Sequence, residues 1–227
     1  MGIKRWLLLG LLLLANCAQG QLVHYWTNFQ GTYSGNVPAG WTLFSGSVSV
    51  GTNQIGLSRA NAGLLSVYLN NAGWTNYAVQ CQMKVTLTNA SSWAIGLYIN
   101  NVNISGNGYW GYADPENSGA NGGPAETMTI DHTWAGFSQL GVNVSLPNLL
   151  TNWHTFTLSV YNGVLSGMFD NKYLGAFPDS TYKNGTIGLG AFDNASSGTH
   201  CSFVYRNLWV WSGDPKSPRF GNWFFAE

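Results

Sequence analysis

The sequence predicts an all-β fold of antiparallel strands, a sandwich or a barrel, on three observations. Apolar residues recur with period two along successive segments. Pairs such as Asn162-Gly163, Asp170-Asn171, Asn184-Gly185 and Asp193-Asn194 punctuate those segments as turns. No stretch keeps a helical period long enough to form a helix. With 29 glycines and 24 asparagines in 227 residues, turn-formers are plentiful, and the length suits one sandwich rather than two domains.

In chain order, residues 1–20 read as a signal peptide. Lys4 and Arg5 form a basic start, residues 6–15 (WLLLGLLLLA) an apolar run, and Ala18-Gln19-Gly20 a small-residue cleavage site. The run is shorter than the roughly 20 apolar residues a membrane span needs. No later segment approaches that length, so no transmembrane segment is expected in the mature chain. A rival reading takes Leu14-Ala15-Asn16-Cys17 as a lipoprotein box that would lipidate Cys17, with Asn16 where a smaller residue is usual. Either way the expectation is a secreted or cell-surface protein, with the sandwich over residues 21–214 and a tail over 215–227.

Tyr77–Leu87 (YAVQCQMKVTL) sends Val79, Cys81, Met83 and Val85 to one face and Gln80, Gln82, Lys84 and Thr86 to the other. Residues 93–100 alternate Ile95, Leu97 and Ile99 with Gly96, Tyr98 and Asn100. A Gly- and Asn-rich loop is expected over residues 105–124. Residues 154–160 turn Phe156, Leu158 and Val160 inward, and strands over 186–192 and 201–211 complete the set. Trp41, Trp153 and Trp209 read as core. Cys81 and Cys201 form an even pair once Cys17 leaves with the signal. They are either a disulfide across the domain or two buried thiols.

Charge excludes whole classes of function. Only 8% of residues are charged, with nine Lys+Arg against nine Asp+Glu. Losing Lys4 and Arg5 leaves seven basic residues against nine acidic ones. No positive excess remains to displace the counterions of a nucleic acid, and a charge-driven disordered chain is equally excluded.

Several motifs then resemble a known family. Residues 152–160 (NWHTFTLSV) lead into Asn162-Gly163 and then Gly167-Met168-Phe169-Asp170-Asn171-Lys172. Gly185-Thr186-Ile187-Gly188-Leu189-Gly190 and the strand over 203–211 follow. In that order they resemble the closing half of concanavalin A-like lectin/glucanase sandwiches, including laminin-G-like and 3-keto-disaccharide hydrolase-like domains. Asn28-Phe29, Trp41 and residues 45–50 are similar to the family's opening. The resemblance implies a two-sheet antiparallel jelly roll with a concave face that contacts sugars or protein partners. Fold alone does not decide function.

Catalytic chemistry finds little support. Glycoside hydrolysis needs two carboxyl groups about 5–10 Å apart, and the family's glucanases carry E-x-D-x-E on one strand, which this chain lacks. Glu126 and Asp131 are the best-placed carboxylates, yet five residues apart they fall on opposite faces of an uninterrupted strand. His132 points away from Asp131 by the same rule. The four histidines show no zinc spacing. No cofactor is expected, with a structural calcium at Asp193, Asn194 or Asp114 left open.

Aromatic residues, 15% of the chain, are more informative. Trp and Tyr offer sugars an apolar face and a polar edge. Gln82, Tyr98, Asn100 and Phe192 share the non-core parity of their strands, and Trp110, Tyr112, His132 and Trp134 rim them from loops. This set predicts non-catalytic binding of a neutral glycan. The alternatives are an extracellular structural or adhesive protein and a divergent glycoside-acting enzyme. Sequons at Asn89, Asn103, Asn143, Asn184 and Asn194 are about as many as chance provides and leave glycosylation open.

Overall fold

A computed structural model describes residues 22–30, 37–70, 73–87, 93–101, 107–114, 127–132, 138–139, 144–145, 152–193 and 200–212. In chain order the first strands are β1 (Val23–Thr27), β2 (Trp41–Ser45), β3 (Ser47–Gly51), β4 (Gln54–Ser58) and β5 (Gly63–Leu69). The middle strands are β6 (Tyr77–Leu87), β7 (Trp93–Asn101), β8 (Tyr109–Asp114), β9 (Thr127–His132), β10 (Ser138–Gln139) and β11 (Val144–Ser145). The last are β12 (His154–Tyr161), β13 (Val164–Phe169), β14 (Lys172–Pro178), β15 (Thr186–Asp193) and β16 (Ser202–Ser212). No helix occurs among the described residues.

The strands form two antiparallel sheets, the jelly-roll sandwich that the sequence predicts. Sheet A runs β14-β13-β12-β6-β16-β4-β3, with β1 also on β16. Sheet B runs β10-β9-β8-β7-β15-β5-β2, with β11 also on β9. The inner faces meet in one apolar core. Val79, Cys81, Met83 and Val85 of sheet A and Ile95, Leu97 and Ile99 of sheet B lie in it, with Phe156, Leu158, Val160 and Trp41. Tyr205 ties the sheets together, its hydroxyl donating to the Gly190 carbonyl at 2.7 Å. The Asn162-Gly163 and Asp170-Asn171 turns hold both central residues at positive φ (50° and 73°, then 46° and 64°). That is the geometry hairpin twist requires, and Asn, Asp and Gly reach it at least cost.

Two bulges change the faces read from simple alternation. Along β16, Phe203 and Tyr205 face the core, but so do Leu208 and Val210. The register shifts between Arg206 and Trp209, and Asn207 adopts φ 51°. One extra residue flips the parity, so Trp209 lies on the outer face of sheet A, packed at a tilt of 43° against Trp26 with ring centres 5.4 Å apart. Trp153 is not core either. It lies outside sheet A under Lys84 and Arg206. Trp41 is core as expected.

The second bulge is in β7, where Asn100 has φ 51° and the pairing with β15 slips between Thr186 and Gly188. Asn100 is therefore buried instead of facing outward. Its Nδ2 donates to the Tyr182 carbonyl at 2.7 Å and its backbone N–H donates to Tyr77 Oη at 2.8 Å.

The two cysteines are buried thiols that do not bridge to each other. Cys201 precedes Ser202, whose partner on β6 is Leu87, six residues from Cys81. At about 3.3 Å per residue that is some 20 Å, well beyond the roughly 7 Å Cα limit for a disulfide. Cys81 Sγ instead donates to backbone carbonyls of Gln82 and Arg206, and burial pushes its thiol pKa well up.

Candidate functional site

The outer face of sheet B carries aromatic side chains in cross-strand register. Tyr68 on β5 pairs with Gly188 on β15, Gly188 with Tyr98 on β7, and Tyr98 with Trp110 on β8. Because directly opposite residues share a face, the rings meet across the sheet. Phe44 and Tyr68 lie edge to face at 6.4 Å, and Tyr68 and Tyr98 stand 5.3 Å apart. Tyr98 stacks on Trp110 at 5.5 Å, and Trp110 on Tyr112 at 4.2 Å. Five rings thus form one file across β2, β5, β7 and β8.

The file lies close against the sheet because β15 supplies a glycine floor. A Cβ at Gly188 would stand 2.4 Å from the Tyr68 ring, and one at Gly190 2.1 Å from the Tyr98 ring. The middle of the file is closed and its ends are open. Tyr68, Tyr98 and Trp110 are at most 2% exposed, whereas Phe44 is 38% exposed and Tyr112 and Phe192 are half-buried.

Polar groups accompany the rings. Ser66 Oγ, Tyr68 Oη and both amide atoms of Asn101 are buried without a well-formed hydrogen bond among the described residues. Burial pushes the Tyr68 hydroxyl up to about 12, while neighbouring polar groups of Ser66, Tyr98 and Asn101 pull the other way. Burial, with the Tyr68 and Tyr205 phenols nearby, raises Tyr98 further. Both phenols therefore remain neutral donors across the physiological range.

The predicted site residues divide. Tyr98, Trp110, Tyr112 and Phe192 come together on this face, although Tyr98 is 1% exposed and is no open platform. Gln82 does not join them. It lies in sheet A, hydrogen-bonded to Arg206 and Asn207, because β6 pairs with β12 and β16, not with β7. Asn100 is buried by its bulge. His132 pairs in register with Tyr109, a core residue, and so sits one place off the aromatic row. Asp131 is in that row, paired with Trp110 and Gln139.

Trp134, Glu126 and the sequons at Asn89, Asn103, Asn143 and Asn194 lie outside the described residues, as do residues 1–20 and the tail over 215–227. Of the loop expected over 105–124, Tyr109–Asp114 instead form strand β8, so Trp110 and Tyr112 come from a strand and not from a loop, and 105–106 and 115–124 lie outside the described residues. Asn184 is exposed. Phe44 and Tyr68 were missed by sequence reasoning. The available signals were the alternation in GLLSVYL, which puts Leu64, Ser66 and Tyr68 on one side, and the small residues of GTIGLGAF opposite.

Asp193 does not fit a cation site. Its carboxylate is fully buried, and Oδ2 accepts the Cys201 N–H at 2.8 Å and contacts His200 Nδ1 at 3.1 Å. Among the described residues no cluster of three or more His, Cys, Asp or Glu could hold a metal. A separate recess of about 450 Å³ at one end of the sandwich is lined in part by Asn76, Asn162, Ser180, Tyr182 and Lys183.

No protein-family model and no curated protein matches the chain. Solved structures do. A carbohydrate binding module, CBM66 from Bacillus subtilis, superposes with a TM-score of 0.62 at 15% identity, covering 76% of this chain and 96% of that one. The metal-free Emp46p carbohydrate recognition domain gives 0.59 at 15% identity over 84% of this chain and 99% of its own. The fold is the concanavalin A-like sandwich. A beta-1,3-glucanase from Mycobacterium marinum also matches, at TM-score 0.55 and 12% identity over 85% of this chain and 100% of its own. Identities this low extend the likeness to the concanavalin A-like fold and no further. The Emp46p domain is also solved in a potassium-bound form.

Proposed function

We propose that the protein is an exported, non-catalytic carbohydrate-binding sandwich that holds a neutral glycan on the outer face of sheet B. One observation carries the reading: the file Phe44–Tyr68–Tyr98–Trp110–Tyr112, with a buried centre and accessible ends. Aromatic faces take up the apolar C–H faces of sugar rings while their edges and nearby amides meet hydroxyls. In this arrangement Phe44, Tyr112 and Phe192 contact the glycan, and Tyr68, Tyr98 and Trp110 fix their positions from beneath. The rings of the file carry no charge, which favours a neutral ligand, while Asp131 pairs in register with Trp110 at one end and the Arg59 guanidinium donates to Ser45 Oγ and the Leu64 carbonyl at the other. A binding module and a recognition domain named for carbohydrate share the fold, and the basic, apolar start of the chain supports export.

The test is a glycan array probed with mature protein at low and raised salt. Retention of neutral glycans that survives salt supports the reading. Self-association with no glycan retained would contradict it and favour an extracellular building block. Cleavage of a retained glycan, abolished in Asp131→Asn, would make the protein an enzyme.

A further inference from the structure

We propose a second glycan site on the outer face of sheet A, directed at an acidic polysaccharide bearing uronate carboxylates. The cross-strand register sets it out. Trp26 on β1 pairs with Trp209 on β16, Trp209 with Gln80 on β6, and Gln80 with Thr157 on β12. One residue pair along, Arg206 pairs with Gln82. Aromatic rings, amides and a guanidinium thus occupy adjacent places on one face. Trp26 is 48% exposed and rests on Trp209, so a flat ring faces solvent at this edge of the sheet.

The amides are held so as to donate. Gln82 Oε1 accepts from Arg206 Nε at 2.7 Å and from Asn207 Nδ2 at 3.0 Å. Arg Nε is only a donor, which settles which end of the Gln82 amide is oxygen. Gln80 Oε1 accepts from Thr157 Oγ1 at 3.1 Å. With its oxygen engaged, the Gln82 amide offers only its NH₂ group, a donor, to a ligand.

Charge then selects the ligand. Lys84 Nζ and Arg206 Cζ sit 4.8 and 4.1 Å from the centre of the same Trp153 ring, which steadies both cations over the face. Among the described residues, the outward positions of β1, β16, β6 and β12 carry these two cations and no carboxylate. Asp170 follows β13 beside Thr155, the register partner of Gln82, and its carboxylate is engaged by His154 at 2.6 Å and by the Thr155 N–H at 2.8 Å. A surface of donors, cations and one open indole matches a pyranose chain whose ring stacks on Trp26 and whose planar carboxylate meets the guanidinium fork. Sheet B offers a different character, a file of uncharged aromatic rings, and the sheet A site does not rest on it.

Titration with polygalacturonate tests the proposal, with neutral dextran and polyglutamate as controls. Wild-type protein should bind polygalacturonate more weakly as salt rises and should bind polyglutamate less well. The double variant K84Q/R206Q, and separately W26A at the exposed ring, should each lose about tenfold or more in affinity, while still unfolding cooperatively and with binding of any neutral glycan unchanged. Tyr112→Ala should leave polygalacturonate binding intact. Three results would overturn the site: no binding by wild type, equal binding by both K84Q/R206Q and W26A, or polyglutamate binding as tight as that of the polysaccharide. Loss of neutral-glycan binding alone would count against sheet B and leave sheet A standing.

Discussion

A methyl group on Gly190 would stand 2.1 Å from Tyr98 Cε2, so this glycine exists to let the ring lie on the strand beneath it. Gly190→Ala must displace a ring already wedged between Tyr68 and Trp110. Overpacking of this kind costs about 1–3 kcal/mol, and urea unfolding should show that loss. A neutral result would mean that the ring is free to move. Tyr98 itself is a structural member of the file. Tyr98→Ala should cost about 3–5 kcal/mol, as for other large buried aromatics. The parity of Tyr98 was legible from its neighbours Leu97 and Ile99. Its burial was not, because alternation tells which face a residue takes and not whether that face is covered.

Elements show the same limit through their irregularities. Asn207 holds the β16 bulge at φ 51°, and that residue decides whether Trp209 faces the core or solvent. Gly adopts this conformation freely and a β-branched residue only with strain of about 1–2 kcal/mol. Asn207→Gly should therefore stay near wild-type stability while Asn207→Val loses at least that much, as read by thermal unfolding. Equal losses would indicate that the amide contact to Gln82 matters more than the backbone. The long strands and both Asn/Asp turns were readable because each residue's local preference agrees with the fold. The bulges at Asn100 and Asn207 were not, since Asn is as common in turns as in bulges. Nor was sheet membership: β6 and β7 follow each other in sequence, yet they lie in opposite sheets, which is what parted Gln82 from Tyr98.

At the scale of the molecule, the sandwich buries phenols from both sheets. Burial pushes Tyr68 up to about 12 and raises Tyr77, Tyr98, Tyr109 and Tyr205 further, with Asp179 adding to the rise at Tyr109. The unfolded value is about 10, so these groups stay neutral in the fold and ionise readily only once it opens. Their contribution is complete below about pH 10 and is lost as pH rises through 10 toward the folded values. Tyrosinate absorbance of these phenols should therefore appear together with unfolding. Full titration of every tyrosine near pH 10 in a still-folded protein would contradict the packing.

The central claim, that a neutral glycan lies on sheet B against the accessible end of the aromatic file, is tested most directly by calorimetric titration of Tyr112→Ala. The titrant is the neutral glycan best retained by wild type. Binding should weaken by about 1–3 kcal/mol, by analogy with flat bases stacked on aromatic side chains, at an unchanged melting temperature. Unchanged affinity in a folded Tyr112→Ala protein would contradict it.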